Sequence, residues 1–228
     1  LPNFRTLDIR RIDTLLVSHA DTDHAGGLQA LLESLPVGQV ISGEPAAVRE
    51  LLPGRTVESC PDAFVSESEL VSFRFWRSAD PREGNDSSCV LLVETPGITL
   101  LLPGDITRRT EEELVGSDWL PDPAESRERE NYRLMLAPHH GSKTSSGDAL
   151  LTAFRPDLTL FSAGYRHRYG HPHPDVVGRY RKHRLATENI ACSGAITVKL
   201  EDGRARVTRS RDSAGFWIDP PGPPCESM

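Results

Sequence analysis

Residues 15–27 read Leu-Leu-Val-Ser-His-Ala-Asp-Thr-Asp-His-Ala-Gly-Gly, an apolar run that passes directly into two imidazoles and two carboxylates within six residues. Ile12, Leu15, Leu16 and Val17 make Arg11–Ser18 a buried strand. Residues two apart in an extended segment point the same way, so His19 and Asp21 can converge on one point. Asp23 and His24 lie past the bend and can face a second point. Imidazole and carboxylate donors together suit zinc, manganese or iron, and suit calcium poorly. Gly26-Gly27 lets the backbone turn into a helix whose apolar positions are Leu28, Leu31, Leu32 and Leu35. The alternative is a polar loop that caps this helix, which leaves the packing of so many ligand-type side chains unexplained.

Two later strands end in the same kind of chemistry. Ile98–Leu102 runs into Pro103-Gly104-Asp105, where a carboxylate could bridge two metals; Asp105 could equally cap a helix at Thr107. Tyr132–Ala137 runs into Pro138-His139-His140-Gly141-Ser142. At least one of His139 and His140 reads as a metal ligand. The other, with Ser142 and Lys143, could contact substrate or orient a ligand. His171-Pro172-His173-Pro174 follows Arg166, His167 and Arg168, and reads as a phosphate contact or late ligand, or else as a rigid Pro-bounded turn.

The remaining pattern alternates strands and helices. Val40–Ser42 and Val71–Trp76 read as strands, Glu44–Leu52 as a helix with Pro45 in its first turn, and Cys89–Glu94 as the hairpin partner of Ile98–Leu102 through Thr95-Pro96-Gly97. Helices are expected at Thr107–Val115, Ser146–Phe154 and Asp175–Arg184, a strand at Leu158–Ser162, and a closing hairpin at Ala195–Leu200 and Arg204–Arg209. Residues 116–130 read as a surface loop. The class is α/β or mixed, with one domain over 1–218 and a Pro-rich, disordered tail over 219–228.

With 228 residues, 37% of them apolar, the chain suffices for one domain with a substantial core. It contains no run of 18 apolar residues and no secretory leader pattern, and its first residue is not Met, so we expect a piece of a longer protein. None of the four cysteines forms a Cys-x-x-Cys pair, which argues against a cysteine zinc site. Cys89 reads as core, and no disulfide framework is expected. The net charge of -7 is uneven. Residues 164–211 carry eleven Lys/Arg against four Asp/Glu, which suits a polyanion or simply a solvated surface.

The ordered set HADTDH, NDSSCVLL, LLPGD, APHHGS and YGHPHP resembles the C-terminal metallo-β-lactamase-like domain of the ComEC family, membrane proteins of bacterial natural transformation. The resemblance runs from about Leu7 to Trp217. It implies a four-layer αββα fold, two divalent metal ions (zinc or manganese), and a nuclease that degrades the DNA strand not imported. It also implies DNA, the membrane channel portion of the same polypeptide and other competence proteins as partners, with the inner or plasma membrane as location. Three departures from the superfamily pattern stand out. Asp21 takes a position usually held by His. Asn85 and Asp86 stand where another His is usual. The N-terminal strands, with an Asp-x-Gly turn, do not precede Leu1, so the first sheet is expected to be incomplete. A nitrogen-poor first metal position favours manganese or leaves that position only partly filled.

The expected chemistry is phosphodiester hydrolysis. Metals would be held by His19, Asp21, Asp23, His24, Asp105, and His139 or His140. Asp23 would orient the nucleophile, and His140, His171 or His173 would protonate the leaving group. Asn85, Ser142 and Lys143 would contact substrate, and Arg166, Arg168, Arg179, Arg181 and Lys182 the nucleic-acid backbone. No aromatic-interleaved basic groove is evident in the sequence, so no sequence preference is expected. Two rival readings are a soluble hydrolase of a small phosphodiester or other ester, and a non-catalytic DNA-guiding domain.

Overall fold

The computed structural model describes residues 2–61, 65–67, 70–80, 84–122, 131–165, 168–201 and 204–213. In chain order these form α1 (Pro2–Thr6), β1 (Ile12–Val17), α2 (Thr22–Ala25), α3 (Leu28–Ser34), β2 (Val37–Ser42), α4 (Pro45–Leu51), β3 (Glu58–Ser59), β4 (Val65–Glu67), β5 (Ser72–Trp76), β6 (Val90–Thr95), β7 (Ile98–Leu102) and α5 (Arg108–Gly116). Then come β8 (Tyr132–Leu136), α6 (Asp148–Phe154), β9 (Leu158–Phe161), α7 (Pro174–Lys182), β10 (Ala186–Asn189), α8 (Ile190–Ser193), β11 (Ile196–Glu201) and β12 (Arg204–Arg209). Arg166, the segment 123–130 and the expected tail at 219–228 lie outside the described residues.

Strand alternation builds the layers. In β1, Leu15 and Val17 face α2–α4, with Val37, Val40 and Val48, while Leu16 faces the other way. In β6, Val90 and Leu92 face one core, and Leu91 the opposite one. A period of two thus gives each strand two buried faces. Three apolar clusters result. One lies between α2–α4 and the sheet β1-β2-β3. A middle one, with Leu16, Ile41, Cys60, Phe75, Cys89 and Leu91, lies between the two sheets. The third, with Leu92, Leu101, Met135, Phe154, Phe161 and Tyr180, joins the seven-stranded sheet to α5–α7. The order is helix, sheet, sheet, helix: the mixed α/β, four-layer arrangement expected.

The smaller sheet is parallel, with Leu15 opposite Val40 and Val17 opposite Ser42. It has three strands among the described residues, and β1 lies at its edge. The larger sheet runs β10-β9-β8-β7-β6-β5-β4. Strands β7 to β10 are parallel to one another, so the segments following β7, β8 and β9 leave at one edge. The β6–β7 hairpin closes at Thr95 and Ile98, where Gly97 has φ 100°. The end of β1 joins that edge because the Cys89 N–H donates to the Ser18 carbonyl at 3.0 Å.

Two expectations need correction. Cys60 and Cys89 form a disulfide, with Cα atoms 5.7 Å apart, and no described cysteine is free. Cys89 is therefore core and cross-link together: it ties the segment after β3 to the start of β6 across the two sheets. Sequence spacing could not reveal this, because 29 residues and a sheet-to-sheet contact separate the pair. The strand β10 was also not anticipated. Ala186-Thr-Glu-Asn carries no apolar alternation, and it becomes a strand only by parallel pairing with β9.

The disulfide stabilises mainly by restricting the unfolded chain. For a loop of 29 residues the chain-entropy relation gives about 3–4 kcal/mol. We expect Cys60→Ser to lower the urea midpoint by an amount equivalent to about 3 kcal/mol. An unchanged midpoint would remove the cross-link from the account of stability.

Candidate metal centre

Backbone geometry at the common edge brings the ligand-type residues together. Gly104 has φ 63°, and a Cβ there would lie 2.8 Å from both Cβ and Oγ of Ser88. Only glycine lets the β7 end approach the β6 start this closely. Asp105 follows immediately, buried, its N–H donating to Ser88 Oγ at 3.0 Å. Asp86 anchors the next residues, accepting from Thr107 N at 2.9 Å and Thr107 Oγ1 at 3.1 Å. After β8, His139 and His140 both adopt left-handed backbone, with φ 48° and 54°. Such conformations cost about 1–2 kcal/mol per non-glycine residue. They are held by hydrogen bonds from His139 N to Gly104 O (3.1 Å), Ser142 N to His139 O (2.8 Å) and His173 N to Gly141 O (2.9 Å).

The side chains converge. His24 Nε2 lies 3.2 Å from Asp105 Oδ1 and 3.2 Å from His140 Nε2. His140 Nε2 is 3.4 Å from Asp23 Oδ2 and 3.5 Å from Asp105 Oδ2. One ligand atom from each of Asp23, His24, Asp105 and His140 lies within 4.8 Å of the others. Tetrahedral zinc, at metal–ligand distances near 2.0–2.1 Å, sets ligand pairs about 3.3–3.4 Å apart. The donor set therefore fits one divalent cation. Two imidazole nitrogens that face each other at 3.2 Å with carboxylates on the same side need a cation or a shared proton between them.

His19, Asp21 and His139 flank this group. His19 is fully buried, and its Nε2 has no hydrogen-bond partner among the described residues, although Asp21 Oδ2 stands 3.5 Å away. His139 Nε2 is 3.8 Å from Asp105 Oδ2. Asp105 thus faces His24 with one oxygen and both His139 and His140 with the other. Asp21 and Asp23 are the solvent-facing members, while Asp105 and His19 form the floor. Beneath the group, between the sheets, lies a cavity of about 280 Å³ whose apolar wall includes Leu16, Leu91, Leu102 and Leu136.

Charge follows from that packing. Burial pushes the Asp105 carboxyl up, but the His24 hydrogen bond and the neighbouring His140, His24 and His139 rings outweigh it, so Asp105 is held below its ordinary value. Burial also pushes His24 down, yet Asp105, Asp23 and Asp21 leave it above its ordinary value. His19 is lowered by burial and by His24, and His139 chiefly by burial. Two of the flanking imidazoles are thus kept neutral, the form a cation needs.

Residues that the sequence did not mark position these rings. Ser18 Oγ sits 3.1 Å from His19 Nδ1 and 3.0 Å from His24 Nδ1. His140 Nδ1 is 3.1 Å from the Ser162 carbonyl and 2.9 Å from its hydroxyl. A donated Nδ1–H there leaves Nε2 free to accept. Glu44 accepts from Ala20 N at 2.8 Å and Gly84 N at 2.7 Å, pinning two site loops. Glu111, which burial pushes up to about 7, accepts from Ser146 N and Gly147 N at 2.6 Å each. Serines at strand ends are too common for sequence to single out; only tertiary contact reveals their role.

The other candidates fall in different places. Asn85 Nδ2 lies 3.5 Å from His139 Nδ1, beside a ring rather than in the open. The His171 ring centroid is 6.0 Å from that of His139. His173 caps α7, its Nδ1 accepting from Asp175 N at 3.1 Å. Ser142 is buried, with Oγ 3.2 Å from Thr144 Oγ1, and Lys143 is exposed beside Asp175 at 3.6 Å. Arg168 lies over the Tyr169 ring. Arg179 turns inward, donating to the carbonyls of Ser145 (2.7 Å) and Ser146 (2.8 Å). Arg181 and Lys182 occupy the far end of α7, about 12–14 Å along the axis from its cap. Lys182 pairs there with Asp148 at 3.0 Å.

Comparison with known proteins agrees with this architecture. The profile of the metallo-beta-lactamase superfamily matches residues 2–165. Competence protein ComA of Neisseria gonorrhoeae is 31% identical over 229 aligned residues, covering 97% of this chain and 30% of that protein. Recombination protein 2 of Haemophilus influenzae is 27% identical, covering 90% of this chain and 24% of the relative. ComE operon protein 3 of Bacillus subtilis is 26% identical, covering 89% and 26%. The chain thus spans less than a third of these relatives' length. Among solved structures, a mutant of the β-hydroxylase CmlA superposes with a TM-score of 0.51 at 14% identity, over 82% of this chain and 44% of that one, a likeness of fold alone. Its sequence motifs, its four layers and the match over most of its length place the chain in the metallo-β-lactamase superfamily, similar over nearly its whole extent to part of competence proteins.

Proposed function

We propose that the chain is the metal-dependent phosphodiesterase domain of a DNA-uptake protein, acting as a nuclease on the strand that is not imported. The observation that carries this reading is the convergence of Asp23, His24, Asp105 and His140, whose ligand atoms all lie within 4.8 Å of one another. Zinc or manganese, if held by these four residues, would supply Lewis acidity toward water and phosphate. His19, Asp21 and His139 would serve a second, weaker position, with Asp105 between the two.

The protein's own groups divide the remaining work. Asp23, at the mouth, orients the attacking water and accepts its proton. His140 has both nitrogens engaged, by Ser162 and by the donor group, so it is a ligand rather than the acid. His173 is occupied as a helix cap. His171, one ring step from His139, is the better placed to protonate the leaving oxygen. Asn85 steadies His139, and Ser142 with Lys143 borders the substrate path. Arg166, Arg168, Arg181 and Lys182 supply positive charge for the nucleic-acid backbone.

The similarity to competence proteins supports the DNA-uptake setting; we propose with it a membrane channel portion of the same polypeptide, and so a place at the membrane. No helix of the described residues is long and apolar enough to cross a membrane. The Cys60–Cys89 disulfide favours an oxidising compartment, outside the cytoplasm.

The direct test is metal content together with cleavage of single- and double-stranded DNA in added manganese or zinc. We expect Asp105→Asn to lose bound metal and to lower cleavage at least about 100-fold, with the fold retained by circular dichroism. Full cleavage by this variant would refute the assignment. Hydrolysis of bis-p-nitrophenyl phosphate without strand cleavage would point instead to a small-ester hydrolase.

Metal affinity should also depend on pH. His24 titrates above its ordinary value and must lose its proton to bind metal, whereas Asp105 stays ionised. Affinity therefore falls as pH drops through the His24 range. We expect manganese binding, measured by titration calorimetry, to weaken about tenfold or more between pH 8 and pH 5.5. Unchanged affinity would exclude His24 as a ligand.

A further inference from the structure

The loop after β9, which starts at Ser162 beside His140, carries two exposed aromatic side chains. Tyr169 is 58% exposed and Tyr165 47%, unusual for residues that usually bury their rings. Each is matched with an arginine. The Arg168 guanidinium lies 4.6 Å from the Tyr169 ring centroid, and its Nη2 donates to the Tyr169 hydroxyl at 2.6 Å. The Arg211 guanidinium, from the segment after β12, lies 5.9 Å from the Tyr165 centroid. Tyr169 stacks on His171 at 5.9 Å and 27°, and His171 meets His139 edge-on at 6.0 Å. A ladder of rings therefore runs from His139, beside Asp105, through His171 to the exposed part of the Tyr169 ring in two steps.

We propose that Tyr169 and Tyr165 form a base-stacking platform for single-stranded nucleic acid beside the metal centre. The inference rests on the phosphodiesterase reading and adds to it the part of the substrate that is recognised. Unpaired bases expose π-faces that stack on tyrosine, whereas a duplex hides them. The arginines hold the rings in place and offer charge to the adjoining phosphates. The surrounding segment 164–211 carries eleven Lys/Arg against four Asp/Glu, the sign a polyphosphate strand requires. A strand stacked on Tyr169 would pass His171 on its way to Asp23. The platform favours single strands over duplex and is tolerant of base identity.

The test compares two fluorescent phosphorothioate strands of equal length, oligo-dT and the same backbone lacking bases, binding to the whole chain by anisotropy at fixed salt. The expected result is tighter binding of oligo-dT. Tyr169→Ala should lower oligo-dT affinity roughly 5- to 100-fold and leave the baseless strand unaffected, while Tyr169→Phe keeps the preference. Tyr169→Trp gives an independent signal: its emission should be quenched on oligo-dT and not on the baseless strand. Equal binding of the two strands by the unaltered chain, or no quenching, would overturn the platform while leaving the phosphodiesterase reading intact. If neither strand binds, the nucleic-acid reading falls with it. Hydrolysis of bis-p-nitrophenyl phosphate by the unaltered chain then decides whether a metal-dependent esterase remains.

Discussion

Asp105 is a carboxylate held out of water among three imidazoles, and the architecture around it exists to make that position tolerable. A buried charge without partners costs several kcal/mol. Here His24 lies against one oxygen, His139 and His140 near the other, and the backbone N–H is fixed by Ser88. The rings keep the carboxyl ionised, and the carboxyl in turn favours charge on His24. Such a mutual arrangement concentrates negative potential and nitrogen lone pairs at one point, which is what a divalent cation selects.

Everything larger serves to bring four chain segments to that point. Parallel pairing of β7, β8 and β9 sends Asp105, the His139–His140 pair and Ser162 out at one edge. The smaller sheet delivers His19 to His24 from the facing layer, and the Ser18–Cys89 hydrogen bond registers the two sheets. The Cys60–Cys89 disulfide closes the same seam. The strained histidine backbone persists because the loops on either side over-determine it.

Much of this was legible before any coordinates. Apolar runs ending in His19–His24, Asp105 and His139–His140 identified the strands and the ligand-type side chains that cluster at their ends, because alternation and ligand chemistry are local properties of the chain. The β6–β7 hairpin followed from Pro96-Gly97. What sequence could not show depends on contacts between distant segments. Ser18, Ser88 and Ser162 are ordinary residues until they face an imidazole. Cys89 looks like any core cysteine until β3 is brought beside it. Arg179 looks like a surface cation until its guanidinium meets two carbonyls. Tyr165 and Tyr169 bracket the basic run Arg166-His167-Arg168, but their exposure depends on the placement of the loop after β9 and is not a local property of the chain.

The account stands on four side chains sharing one cation. The measurement that tests it most directly is anomalous diffraction from crystals grown with manganese or zinc. The account predicts an ion within about 2.0–2.2 Å of ligand atoms from Asp23, His24, Asp105 and His140 together. An ion bound elsewhere, or no peak at that point in metal-saturated crystals, would contradict it.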